Sequence, residues 1–268
     1  MNNDFYENLK TYKYAAKKDL GQNFLVDSST CERIVNELEL NDKDNVLEIG
    51  AGLGSLSYQL VKFPSQISLI DIDEAMLIAL HNYFDKYPNV SIFRQNILKY
   101  DVSSFTKIVG NLPYYITSGI IELLLLNAKN AEIIVLMTQK EVLQKLLPNS
   151  KEVSPLSLML NHVCKLIPVL NVSRNAFVPI PHVDSAVFKL ISNENIKNEE
   201  NKEVYKLMNN IFLHRRKTIL NCLTSVVKDK TLASQILNDL GVNELARPEQ
   251  LDIKFYFSLL RQIKKHTI

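Results

Sequence analysis

Apolar residues in this chain collect into short runs separated by stretches in which they recur at helical spacing. "NVLEIG" (45–50), "QISLIDID" (66–73), "NVSIFRQN" (89–96), "KIVGN" (107–111) and "AEIIVLMT" (131–138) read as strands. "GSLSYQLVKF", "EAMLIALHNYF" and "TSGIIELLLLN" read as helices between them. Strands alternating with helices predict βαβ units and a parallel sheet covered on both faces. After about residue 160 the pattern changes: "CKLIPVLNVS" and "SAVFKLI" (185–191) flank "RNAFVPIPHVD" with no helix between them. That predicts an antiparallel pair closing one edge, for seven strands in all. Upstream, "SSTCERIVNELEL" reads as a helix capped by Ser28 or Ser29. The polar stretch "SNENIKNEENK" (192–202) reads as a linker, followed by helices in "EVYKLMNNIFLHRRKTILNCLTSVV", "TLASQILNDLG" and "QLDIKFYFSLLRQIKK". The expected division is residues 1–194 and 195–268.

With 268 residues and 46% hydrophobic content, the chain can bury a full core and a smaller second one. Its net charge of +2 conceals an asymmetry: residues 1–194 hold 18 Lys+Arg against 21 Asp+Glu, and residues 195–268 hold 13 against 8. The basic C-terminal part suits an acidic partner such as nucleic acid, and equally an ordinary basic helical tail. Cys31, Cys164 and Cys222 are widely spaced and form no ligand pattern, so reduced thiols in a cytoplasmic protein without a metal site are expected. The N-terminal "MNNDFYENLKTYKYAAKKDL" offers no apolar core for a signal peptide, and no apolar run approaches the roughly 18 residues of a membrane span.

The candidate chemistry begins at "VLEIGAGLGSL". Gly50, Gly52 and Gly54 follow the first strand, where bare backbone turns tightly and lets a ligand approach a helix N-terminus. A dinucleotide fingerprint is not met, because Ser55 stands where its third glycine belongs. Glu48 precedes the loop, and Asp71 ends the second strand, where a carboxylate accepts both ribose hydroxyls. With no Lys or Arg to grip phosphate, a nucleoside without phosphates is favoured, with S-adenosylmethionine the foremost choice. Asp73 competes with Asp71 for that role but reads better as a helix cap.

The second element is "GNLPYYITS". Methylating an exocyclic amine requires its lone pair to be withdrawn from the base ring. Asn111 Oδ1 and the Leu112 carbonyl supply two acceptors for the amine hydrogens, Pro113 fixes the backbone and Tyr114 supplies a stacking face. A strand-ending turn blocked by Pro is the plainer alternative. Stacking a base on an aromatic ring is worth ~1–3 kcal/mol, and alignment of reactants as much as ~7–11 kcal/mol, so positioning outweighs acid–base chemistry.

Taken in order, "LGQNFLVD" (20–27), "EIGAGLGSL" (48–56), "GNLPYYITS" (110–118), "FVPIPHVDSAVFKL" (177–190) and "HRRKTILNCL" (214–223) resemble the rRNA adenine N6-dimethyltransferases, from about residue 17 onward. The resemblance implies a Rossmann-like S-adenosylmethionine-dependent methyltransferase domain with a mostly parallel seven-stranded sheet, plus a small helical C-terminal domain that contributes to rRNA binding. It implies dimethylation of two adjacent adenines in a hairpin loop near the 3′ end of small-subunit rRNA, in a pre-30S-type particle, by a monomer. Cofactor contacts are implied for Asn23, Leu25, Gly50, Gly52, Asp71, Asn96 and Asn111, and catalytic roles for Asn111, Leu112, Pro113 and Tyr114. Two positions depart from the family pattern. Asn96 replaces an Asp that contacts the cofactor's adenine, and an amide oxygen still accepts that bond, with weaker binding expected. Tyr115 replaces an Asn, and either tightens the base pocket or faces the core.

RNA phosphates would be held by Arg215, Arg216 and Lys217 beside His214, and by Lys17 and Lys18 with Lys10 and Lys13. A solvated helix face is the competing reading of both clusters. His162 and His182 read as structural, and Phe177 as a border of the base pocket. The large-subunit methyltransferases of macrolide resistance and non-catalytic nucleic-acid-binding relatives remain as alternatives.

Overall fold

A computed structural model describes residues 3–11 and 22–267. In chain order the elements are α1 (Asn3–Thr11), β1 (Phe24–Leu25), α2 (Ser28–Asn36), β2 (Asn45–Ile49), α3 (Ser57–Leu60), β3 (Gln66–Asp71), α4 (Glu74–Phe84), β4 (Val90–Arg94) and β5 (Lys107–Asn111). They continue as α5 (Thr117–Asn127), β6 (Ile133–Gln139), α6 (Lys140–Leu146), α7 (Pro155–Val163), β7 (Cys164–Val172), β8 (Phe177–Val178) and β9 (Ser185–Ser192). The chain ends with α8 (Asn201–Phe212), α9 (Ile219–Val227), α10 (Lys230–Asp239) and α11 (Ile253–Thr267).

Seven strands form one sheet in the order β4-β3-β2-β5-β6-β9-β7. The first five are mutually parallel, while β9 runs antiparallel to both β6 and β7. The edge pair expected from the helix-free stretch is therefore present. Central strands read as unbroken apolar runs because both faces are buried: Ile108, Val109, Ile134, Val135 and Leu136 are fully enclosed. Two buried lysines interrupt these runs. Lys107 Nζ lies 3.0 Å from Glu132, and Lys189 Nζ lies 3.5 Å from Glu37 with Glu39 also in contact, so each enclosed charge has a carboxylate partner.

Several local expectations are corrected. The cap of α2 is Asp27, whose carboxylate accepts from Thr30 N at 2.9 Å, not Ser28 or Ser29. The helix after the glycine loop is only Ser57–Leu60. A two-stranded antiparallel pair, β1 with β8, places Leu25 opposite Phe177, a pairing too short for periodicity to reveal. The chain divides into two compact units, Met1–Gln144 with Cys164–Asn193, and Lys145–Val163 with Glu194–Ile268. The expected contiguous boundary at residue 194 thus meets a discontinuous one. The reason is α7, absent from the expected elements, whose buried Met159, Leu160 and Val163 join it to α8 and α11. Within this second unit, α8 and α9 are not one helix. The chain leaves α8 at Leu213, and Thr218 caps α9, so "HRRK" forms the connection between them.

Gly54 adopts φ +87°, and a Cβ built there would stand 2.4 Å from Phe84 Cε2, whereas Gly241 at φ +64° faces open space. Gly54→Ala combines left-handed strain with overpacking and should destabilise by about 3 kcal/mol, against about 1 kcal/mol for Gly241→Ala. Urea unfolding of the two variants checks the difference.

Candidate active site

The carboxyl ends of β2, β3, β4 and β5 surround a cavity of about 210 Å³, where ligands of open parallel sheets bind. The glycine loop forms its floor. Gly50 N and Ala51 N both donate to the Ile70 carbonyl, at 2.9 and 3.1 Å, which ties the loop to β3. Gly50 and Gly52 hold φ +65° and +55°, a conformation that side-chain-bearing residues rarely adopt. Asp71 stands over the loop: Oδ2 accepts from Gly52 N at 2.8 Å and Oδ1 from Asp73 N at 2.9 Å. Burial raises its pKa, although these backbone N–H bonds pull the other way. Asp73 caps α4, its carboxylate accepting from Ala75 N at 3.1 Å. The two aspartates divide along the line read from the sequence.

Glu48 is enclosed at 2% exposure and accepts from Ser57 Oγ at 2.6 Å. Burial, reinforced by the nearby Asp71 charge, pushes its carboxyl up to about 8. Asn96 also lines the cavity, with Oδ1 accepting from Leu98 N at 3.0 Å to cap a short turn. Among the residues around the cavity, Glu48 and Asp71 are acidic and none is Lys or Arg. A phosphate finds no counter-charge there, while a cationic nucleoside finds Asp71; Glu48, pushed up to about 8, is largely protonated near neutrality. The donor set therefore fits S-adenosylmethionine.

On the β5 side, Asn111, Leu112, Pro113 and Tyr114 line the same cavity. Asn111 Nδ2 donates to the Asn23 carbonyl at 3.1 Å. An amide that gives its nitrogen to a carbonyl has its oxygen assigned by the same bond, leaving Oδ1 as the free acceptor. Leu112 N donates to Met137 O at 2.9 Å, extending the strand ladder one residue past Asn111. The Pro113 carbonyl accepts from Ile116 N at 3.2 Å and Thr117 Oγ1 at 3.0 Å. Tyr114 is half-buried with its hydroxyl 3.2 Å from Ser185 Oγ, and burial raises the phenol's pKa. Gly110 matters one step earlier, since a Cβ there would lie 2.9 Å from the Ile49 carbonyl.

Asn23, Leu25, Gly50, Gly52, Asp71, Asn96 and Asn111 all reach this cavity. Phe177 does not: it is 1% exposed and belongs to the core, with its strand partner Leu25 at the cavity in its place. Tyr115 does not face the core but stands 58% exposed at the cavity. Gln22, unmarked in the sequence, donates to Asp73 Oδ2 at 2.9 Å, and Ile72 and Leu98 complete the wall. Arg215, Arg216 and Lys217 are exposed in the second unit. Lys13, Lys17 and Lys18, and the side chain of Lys10, lie outside the described residues. His182 is exposed, and His162 lies 4.9 Å, ring to ring, from Phe257 in the second unit, so neither lines the cavity. Among the described residues no group of His, Cys, Asp or Glu is placed to hold a metal ion, and no helix is long and apolar enough to cross a membrane.

Comparison with known proteins agrees with this geometry. The family described as "Ribosomal RNA adenine dimethylase" matches residues 13–265. Ribosomal RNA small subunit methyltransferase A of Bacillus pumilus is 35% identical over 97% of this chain and 95% of its own. The Levilactobacillus brevis protein of the same name is 34% identical over 94% and 91%. Among solved structures, a dimethyladenosine transferase from Plasmodium falciparum superposes with a TM-score of 0.76 at 27% identity, covering 90% of this chain and 98% of that one. The 23S rRNA methyltransferase ErmE gives 0.66 at 25% identity, covering 90% and 100%. With its glycine loop, Asp71 and Asn-Leu-Pro-Tyr segment gathered at one cavity, the chain belongs to the ribosomal RNA adenine dimethylase family.

Proposed function

We propose that this protein uses S-adenosylmethionine to dimethylate N6 of two adjacent adenines in a hairpin loop near the 3′ end of small-subunit rRNA. It would act as a cytoplasmic monomer on a pre-30S-type particle. The observation that carries the reading is the Asn111 amide, held by Asn23 so that its oxygen is free beside the glycine loop. The relatives named for the small subunit at 35% and 34% identity favour that substrate over the large-subunit one.

When bound, S-adenosylmethionine supplies an electrophilic methyl group. The protein's task is to present a nucleophile. Asn111 Oδ1 and the Leu112 carbonyl accept the two amine hydrogens and draw the nitrogen lone pair out of the ring. Tyr114 holds the base by its face, its hydroxyl anchored on Ser185. After the first transfer one N–H remains, so one acceptor suffices to orient the second. The methylated ammonium is acidic enough to release its proton to water, and no strong base is required. Asp71 holds the ribose hydroxyls and suits the cofactor's positive charge. Arg215, Arg216 and Lys217, together with Lys17 and Lys18, neutralise RNA phosphates. An adenine in a loop is already largely unpaired, which lowers the cost of extruding it.

Asn111→Ala removes an acceptor aligned on the reacting amine and should lower single-turnover methylation of unmethylated small subunits by about 10²–10³-fold. Asp71→Ala instead removes a charged acceptor from the cofactor and should weaken S-adenosylhomocysteine binding by about 10–100-fold in calorimetry. Unaltered methylation by the Asn111 variant would refute the catalytic assignment. The double substitution Arg215→Ala with Arg216→Ala should weaken RNA binding and flatten its logarithmic salt dependence by about 2, without changing cofactor affinity.

A further inference from the structure

Three aromatic residues line the cavity, and they are not equivalent. Phe24 lies beneath the loop, its ring 3.2 Å from where a Cβ of Gly52 would be. Tyr114 is half-buried and tied to Ser185. Tyr115 alone of the three is mostly exposed, at 58%. It shares a single 3-10 turn, Tyr114–Ile116, with Tyr114. At about three residues per turn, successive side chains diverge by about 120°, so the second ring is turned away from the first. The other large apolar side chains exposed at the cavity, Ile72 and Leu98, are aliphatic, and Leu98 packs on α5, its Cδ2 3.5 Å from where a Cβ of Gly119 would stand. Tyr115 follows β5 directly after the Asn111–Tyr114 segment, to which the proposed function gives the methylated base.

We propose that Tyr115 is a specificity-determining residue: its ring stacks on the nucleobase that flanks the adenine being methylated. This rests on the function proposed above. Extruding an adenine strips its neighbour of a stacking partner on one face, and an exposed phenol ring beside the extruded base replaces it. Because the flanking base does not react, the contact is equally strong before and during methyl transfer. Its loss should therefore raise KM and leave kcat near its starting value.

The test uses the full chain and small ribosomal subunits isolated from cells lacking the methyltransferase. Tyr115→Ala should raise KM for these subunits about tenfold. Tyr115→Phe, which keeps the ring, should restore it. The chain contains no Trp, so Tyr115→Trp places a lone indole at the cavity mouth. Its fluorescence should be quenched by the unmethylated rRNA hairpin and not by S-adenosylhomocysteine alone. Quenching by S-adenosylhomocysteine alone would make Tyr115 a wall of the cofactor site and overturn the proposal. So would an unchanged KM in the alanine variant, or equal defects in the alanine and phenylalanine variants. If the unsubstituted protein transfers no methyl group to these subunits, the substrate reading fails and this proposal with it. Normal transfer with an indifferent Tyr115 removes the proposal alone.

Discussion

The amide of Asn111 gives its nitrogen to the carbonyl of Asn23 at 3.1 Å, and this bond decides which end of the side chain faces the cavity. A reversed amide would present a donor to an amine that needs an acceptor. The bond holds only if Asn23 is held, and that is the work of the β1–β8 pair. Phe24 and Leu25 are registered against Val178 and Phe177, and Val26 N donates to Ala176 O at 2.8 Å. The buried Leu25 and Phe177 anchor both strands in the core. Segments separated by about 150 residues in the chain therefore meet to fix the orientation of one side chain. The lead "GQNFL" holds Asn111 through its backbone and also forms part of the cavity wall.

Electrostatics divides the remaining work. A cavity bearing Asp71 and no lysine or arginine attracts a cation and repels a polyanion. It can serve the cofactor's positive charge, but it cannot draw in RNA by itself. Phosphate binding must come from cations elsewhere, and the sequence concentrates them after residue 194, with 13 Lys+Arg against 8 Asp+Glu. Some of these are occupied: Arg261 pairs with Glu200 at 2.7 Å and Lys264 with Glu203 at 2.8 Å. The exposed run from His214 to Lys217 stands in a turn and not on a helix face. A turn presents consecutive side chains in different directions, which suits a curved backbone of phosphates better than a solvated helical stripe does.

The centre of the sheet was legible because its strands are buried on both faces and so are written as unbroken apolar runs; β5 begins and ends where the sequence places it. The capping role of Asp73 was legible for a similar reason, since a helix cap leaves a local signature. What was not legible depends on distance in the chain. Two-residue strands carry no period, so β1–β8 escaped, and with it the partner that orients Asn111. The break between α8 and α9 lies inside a stretch of continuous helical spacing, and Thr218, a modest cap, is its local mark. Phe177 reads as a pocket residue because it stands beside two prolines, yet its strand partner turns it into the core.

The turn after β5 shows what a strand end built from Asn, Leu, Pro and Tyr does that glycine would not. Leu112 still donates to Met137 O, so the ladder holds the chain firmly as far as that nitrogen. Pro113 has no N–H and cannot continue the ladder; its φ of −61° and ψ of +130° turn the chain outward at a fixed angle. The Pro113 carbonyl is then taken by Ile116 N and Thr117 Oγ1, which starts the turn that leads into α5. A glycine would reach the same conformation along with many others, and would lose more entropy on being held there. Acceptors that must meet two hydrogens of one amine gain from stiffness. On the proposed roles the proline would serve the chemistry as much as the fold: it restricts the direction of the Leu112 carbonyl, while the bond to Asn23 fixes that of Asn111 Oδ1.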